Sequence, residues 1–449
     1  MHDGYRNFST HFQSKENIME LAHIIHVLNE KVFIWPFFLI FLGNIIISIK
    51  TRFIQVRMLP TMLRLFWGNK TEDQTNGNPN TLPSRDAVLT VISTSVGIGN
   101  LVGPIVAIKM GGPGALVLFL ISVFFGAATI FSEVNYAITY RKKLPDGSWA
   151  GGAMQYLKKA IAPWAAMIYA FCGSLLLLAW SSAQSNQFAE ICQTYGVPSA
   201  FTGTAVAILV LLYLLAGIRK IGDLSAKIVP LMFAIITILS LYIIFSNITI
   251  LPSILWYALK SAFTPQAFGG AGIGLMVRWA VAKGTQASEA AAGTTTIPHS
   301  MVEHAQPYQQ GILAMLSAYA VLCICAMVGL VVLVTGAWQN PSAGMGIKVL
   351  AQSFAQYIPS MISNLLLLVS IFLFAFGTII GNAYNGGQCF SYVTKNRWLK
   401  TYYIGVALTL IFGALFSVEF IWSFVDLFII PVAFINLTGL MILIFKRSR

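Results

Sequence analysis

Ser93-Thr94-Ser95-Val96-Gly97-Ile98-Gly99-Asn100 stands in the middle of an apolar run that extends from about residue 86 to 108. Glycine lowers helix propensity by about 1 kcal/mol per residue relative to alanine. Two glycines beside Ser and Asn therefore favour local unwinding at mid-membrane depth. A second run, 262–290, carries Gly269-Gly270-Ala271-Gly272-Ile273-Gly274. Unwound backbone in a bilayer survives only where it is buried in protein or lines a cavity. Small residues also serve close helix packing. Two such clusters, five spans apart and at corresponding places in two halves, favour a solute site between inverted repeats.

Working outward, the chain has 449 residues, 57% of them hydrophobic and 10% charged, with a mean hydropathy of +0.75. A soluble domain carries about 25% charged residues, so this composition excludes a compact soluble monomer. A spanning helix takes roughly 20 apolar residues. Eleven such runs are read at 32–50, 86–108, 113–137, 163–187, 200–218, 225–246, 262–290, 311–336, 362–390, 401–417 and 424–446. The expected fold class is an all-α polytopic membrane protein of about 11 transmembrane helices. Ile54 to Phe66 mixes basic and apolar residues and reads as an amphipathic segment on the membrane surface. Residues 69–85 form a polar loop. The first apolar run follows Asp3, Glu16, Glu20 and Glu30, too late and too acidic for a cleavable signal sequence. Residues 1–18 look dispensable, with Met19 an alternative start.

The net charge of +13 is explained by topology, because cytoplasmic loops hold an excess of Lys and Arg. With the N-terminus outside, only Arg6, Lys15, Lys31, Lys109, Lys260 and Lys348 of the 28 basic residues fall on the outer side. Arg278 and Lys283 lie within a span, and every other one falls inside. The expected location is a bacterial-type inner membrane, multi-pass, N-terminus out and C-terminus in. No nucleic-acid partner is needed to explain the basic pI, and no obligate protein partner is evident. Cys172, Cys192, Cys323, Cys325 and Cys389 are an odd set without metal-ligand spacing. None of the six histidines lies mid-span, which argues against a membrane-embedded metalloenzyme. A passive channel would need no pair of broken helices around one site.

Gly97-Ile98-Gly99-Asn100 followed by Gly111-Gly112-Pro113-Gly114-Ala115 resembles the signature of the alanine or glycine:cation symporter family. Further matches follow in order: Glu133, Tyr140-Arg141, Asp146-Gly147, Gly151-Gly152-Ala153-Met154, Gln184-Ser185-Asn186, Ile228-Val229-Pro230, Ser261-Ala262-Phe263, Lys283-Gly284 to Glu289, and Phe374-Ala375-Phe376-Gly377-Thr378. The resemblance runs from about residue 19 to the C-terminus. It implies a LeuT-type fold with five plus five inverted repeats and one extra N-terminal helix. The expected division is an extracytoplasmic segment 1–31, the extra helix with its cytoplasmic linker 32–85, a first repeat 86–246 and a second repeat 247–449. It also implies symport of a small amino acid with Na⁺, or H⁺ as the alternative coupling ion. No cofactor is expected.

The resemblance assigns roles to residues. Asn100, Thr378 and the carbonyls of Ser93, Ser95 and Val96 are the expected cation ligands, since Na⁺ takes oxygens that broken half-helices supply. Freed N–H groups at Gly97, Ile98 and Gly99 sit at the positive end of a half-helix and suit the substrate carboxylate. Carbonyls around Gly269, Gly270 and Gly272 are candidates for the ammonium. Gln184 and Asn186 match the polar pocket motif, and Phe268 is placed as an apolar lid. Intramembrane charges are functional candidates by default. Glu133, Arg278 and Lys283 are read as ion pairs that fix helix register and Glu289 as a gate residue, with Glu133 or Glu289 the carrier if protons drive transport. The chain also departs from the family. Ile98 replaces a Thr, Gly377 replaces a Ser, Ala320-Val321 replaces an Asp-Thr pair, and Asn382 replaces a pocket Trp. These changes predict a wider, more polar pocket and a substrate other than simple alanine.

Overall fold

The computed structural model describes residues 34–68, 80–145, 147–263, 273–341 and 346–447. In chain order the helices are α1 Ile34–Lys50, α2 Ile54–Arg57, α3 Leu59–Gly68, α4 Ser84–Ser95, α5 Ile98–Gly111, α6 Gly114–Tyr140, α7 Ala153–Ala160, α8 Pro163–Thr194, α9 Ser199–Ala216, α10 Ile218–Ser246 and α11 Leu251–Ala262. They continue as α12 Ile273–Ser288, α13 Thr296–Ser300, α14 Pro307–Val334, α15 Ile347–Ala355, α16 Ser360–Thr394, α17 Leu399–Leu415 and α18 Val418–Arg447. Lys142–Lys143 and Trp149–Ala150 pair as a two-stranded antiparallel hairpin.

Local chemistry sets the breaks. Pro163 opens α8 at a position where its missing N–H costs nothing. Gly217, at φ +87, separates α9 from α10 in a conformation that side chains disfavour. Seven described helices are long and apolar enough to cross a membrane, and α4 with α5, bent by 46°, makes an eighth. Pro36–Lys50 and α17 are shorter apolar helices. These helices correspond to ten of the eleven expected runs; the run 262–290 is described only in part, as α12 from Ile273, and the full count of eleven stays a proposal.

The turns gather at two ends of the bundle. At one, the Arg141 guanidinium donates to Ser300 O at 2.8 Å and Glu303 O at 3.1 Å and lies 3.8 Å over the Trp149 ring. This basic end also holds Lys395 and Lys400 beside the hairpin. At the other, Lys109 donates to Asn340 O, and Tyr357 to Asn247 Oδ1. Midway between the ends, α16 lies directly on α4. Gly377 and Gly381, one turn apart on the same face, leave room for the Ser93 and Thr94 hydroxyls.

Candidate functional site

The helix of the opening motif breaks where the glycines stand. α4 ends at Ser95, Val96 leaves the helix (φ −97, ψ 82), Gly97 is extended (φ −103, ψ −172), and α5 begins at Ile98. Gly97 is small because its surroundings are close: a Cβ there would meet Thr378 Oγ1 at 2.9 Å and Gln184 Nε2 at 3.0 Å. The Ile98 N–H donates to Gln184 Oε1 at 2.9 Å. Thr378 Oγ1 donates to Ser93 O at 3.0 Å, and Asn100 Nδ2 reaches back across the break to Ser95 O.

The second interruption differs from the sequence expectation. Residues 269–272 lie outside the described residues, and Ile273 and Gly274 begin a regular helix. α12 instead stops at Ser288, and the chain passes through Glu289 (φ 53), Ala291 (φ 71) and Gly293 (φ 75) before α13. Left-handed residues alternating with ordinary ones turn successive N–H groups into one concavity, a backbone nest suited to an anion. The group it receives is the carboxyl of Glu133 of α6, fully buried. It accepts from the N–H groups of Ala291 and Gly293 and from Thr295 Oγ1 at 3.4 Å. Asn436 of α18 donates to it at 2.6 Å and to Ala291 O at 2.8 Å. Tyr156 donates to Asn436 Oδ1, and Tyr169 to Ala292 O at 2.6 Å. Among the described residues Glu133 therefore has no ion-pair partner. Desolvating a carboxylate requires hydrogen bonds, and here the broken helix supplies them.

Between the breaks lies a cavity of about 70 Å³. Its wall combines Thr94, Ser95, Gly97, Gly99 and Asn100 with Trp180 and Gln184 of α8 and Thr378 and Asn382 of α16. Lys283 and Gln286 of α12, Glu289 just past its end, and Trp422 of α18 complete it. Ser93 Oγ, Ser95 Oγ and Asn382 Oδ1 are buried without a hydrogen-bond partner. Buried polar atoms are normally paired, so these oxygens mark a place for something polar. They suit a small cation or an ammonium.

Nine of the residues singled out by sequence meet at this cavity: Ser95, Gly97, Gly99, Asn100, Gln184, Lys283, Glu289, Thr378 and Asn382. Ser93, Val96 and Ile98 are buried at the same break. Asn186 is not in the cavity wall. Its Nδ2 donates to Gly413 O at 2.8 Å and Phe416 O at 2.7 Å, so it ties α8 to the end of α17. Phe268, Gly269, Gly270 and Gly272 lie outside the described residues, as does the side chain of Arg278. The charge that Lys283 faces is Asp426 of α18, not Glu133 or Glu289, and at the surface Lys348 pairs with Glu190. The Lys283 ammonium donates to Gln286 Oε1 at 3.2 Å and lies 4.9 Å from the Trp422 ring, while Gln286 donates to Asp426 at 3.0 Å. Glu289 Oε2 accepts from Thr294 at 2.5 Å. The sequence reading missed Trp180, Gln286, Asn436 and the second break itself. Its signal was the run Gly293-Thr294-Thr295-Thr296, small and polar in a chain where apolar runs dominate.

A model of the sodium:alanine symporter family matches residues 18–448. An uncharacterized transporter of Haemophilus influenzae is 32% identical over 421 residues, covering 91% of either chain. The sodium/alanine symporter AgcS of Methanococcus maripaludis is 28% identical over 438 residues, covering 95% of either chain. Among solved structures, MhsT in complex with L-phenylalanine superposes with a TM-score of 0.60 at 16% identity, covering 80% of this chain and 88% of that one. At that identity the likeness speaks for the LeuT-type fold alone.

Proposed function

The chain belongs to the sodium:alanine symporter family, and on that premise we propose how its cavity joins a cation to an amino acid. It is a membrane-embedded, cation-coupled amino-acid symporter and not an enzyme. The observation that carries the mechanism is the pair of helix breaks facing one cavity that holds unpartnered oxygens.

In this reading Na⁺ sits between Ser93 O, Val96 O and Thr378 Oγ1, at the carbonyl end of α4, where the helix dipole favours a cation. The substrate carboxylate approaches the first turn of α5, whose amides lack helical acceptors. Gln184 Oε1 already holds the Ile98 N–H, so it marks the position a carboxylate oxygen takes on binding. Glu289 is the acceptor for the ammonium. Asn382 Oδ1, buried and unpartnered, receives a donor from the substrate side chain. That favours a polar amino acid over alanine.

The reading extends to topology. Residues 86–246 and 247–449 form two inverted repeats of an eleven-span protein, with one break in each. The basic end faces the cytoplasm of a bacterial-type inner membrane, which leaves the N-terminus outside. Proton coupling is the second reading, favoured by Glu289, a carboxylate on the cavity wall. Counterflow in proteoliposomes across a panel of amino acids, with and without Na⁺ at fixed pH, tests both. Na⁺-dependent exchange strongest for polar side chains is the expected result. Strict alanine or glycine selectivity defeats the pocket assignment, and exchange indifferent to Na⁺ but driven by a pH gradient defeats the sodium site.

A further inference from the structure

The family resemblance places a Ser-Thr pair where this chain has Gly377-Thr378, so one hydroxyl of the expected cation site is absent from α16. The structure shows where an equivalent oxygen comes from. A Cβ built on Gly377 would fall against Ser93 Oγ. The hydroxyl of Ser93, projecting from α4, thus fills the volume that a side chain at 377 would occupy.

Its state is unusual for a helical serine. Ser and Thr hydroxyls inside helices commonly bond the carbonyl four residues back, and neighbouring Thr94 does so, donating to Thr90 O at 2.8 Å. Ser93 Oγ makes no hydrogen bond, although the residue is only 1% exposed. Its own carbonyl already receives Thr378 Oγ1 at 3.0 Å. Two oxygens of Ser93 and the Thr378 hydroxyl therefore gather on the α4–α16 seam, beside the last carbonyls of α4.

We propose that Ser93 ligates the coupling cation through its side-chain hydroxyl as well as its carbonyl, replacing the hydroxyl lost at position 377. The site keeps its number of oxygens, with one of them moved from α16 to α4. This rests on the cation-coupled reading above.

The test uses purified full-length transporter without amino acid, titrated with Na⁺ and with choline as control, and read by thermal stabilisation. Ser93→Ala removes an unpartnered hydroxyl, so its basal melting temperature stays at or above that of the wild type. The Na⁺ concentration for half-maximal stabilisation rises about tenfold, the equivalent of about 1.4 kcal/mol. Adding Gly377→Ser to Ser93→Ala returns the hydroxyl to α16 and restores Na⁺ half-saturation to within about threefold of wild type. Gly377→Ser alone collides with Ser93 and lowers the basal melting temperature. An unchanged Na⁺ titration in Ser93→Ala, or a double variant as weak as the single, overturns the assignment. A wild type that Na⁺ neither stabilises nor energises overturns the cation reading itself.

Discussion

Removing the Glu133 carboxylate tests what holds the second break open. In Glu133→Ala the N–H groups of Ala291 and Gly293 lose their acceptor, while Asn436 keeps its bond to Ala291 O. A buried donor left unmade costs about 1–3 kcal/mol, so two of them cost about 2–6 kcal/mol. Against this, the variant no longer buries a carboxyl group, a gain that the cavity left by the deleted side chain roughly offsets. The net loss expected is therefore about 2–4 kcal/mol. Glu133→Gln keeps the shape and one acceptor oxygen but turns an amide group toward the nest, for an intermediate loss of about 1–2 kcal/mol. Unfolding in detergent at fixed lipid content should rank wild type above Glu133→Gln above Glu133→Ala, and uptake should fall in the same order. The reverse ranking, with the alanine variant the most stable, would mean that the nest closes without its acceptor and that Glu133 is a net burden on the fold.

Gly97→Ala forces a methyl to within 3.0 Å of Thr378 and Gln184; uptake is expected to fall at least tenfold while protein yield stays near wild type, as checked by transport per milligram of purified protein. Asn382→Trp restores the bulk of the family pocket, and competition assays should then show alanine displacing label more effectively than polar amino acids. Asn186→Ala strips two carbonyls at the end of α17 of their donor; a stability loss of about 1–2 kcal/mol with half-saturation for the amino acid unchanged would separate it from the cavity residues, whereas a large rise in half-saturation would return it to the pocket.

The two breaks were unequally legible, for a physical reason. Gly97 has an extended backbone that any residue adopts, so glycine is there for the closeness of Thr378 and Gln184. The sequence reading took glycine as a sign of unwinding and arrived at the right place because the interrupted helix is also the crowded one. The second break contains two left-handed residues that are not glycine, Glu289 and Ala291. Such conformations are uncommon for residues with side chains and persist only when their surroundings enforce them. What enforces them is Glu133, more than 150 positions away in the chain, and no local pattern encodes that contact. The same holds for Asn186: composition marks it as polar and buried, but only the packing of α8 on α17 says which carbonyls it serves.

The anchors of the two breaks divide among different helices, and this bears on coupling. The first break is fixed to α8 and α16 through Gln184 and Thr378, the second to α6 and α18 through Glu133 and Asn436. A ligand shifts a conformational equilibrium only by its difference in affinity for the two states. On the proposed cation site, an ion shared by Ser93 and Thr378 strengthens the seam between α4 and α16 and favours every arrangement in which those helices touch. An amino acid bridging Gly99 and Glu289 ties the first break to the second. Each ligand alone stabilises one seam, and both are needed before the two breaks move as a unit. Disulfide trapping across α4 and α16 should therefore respond to Na⁺ without amino acid, whereas trapping between α5 and the Glu289–Thr295 segment should respond to the amino acid and not to Na⁺ alone. A response of the second pair to Na⁺ alone would show that the seams are not independent, and the division of labour between the two breaks would have to be abandoned.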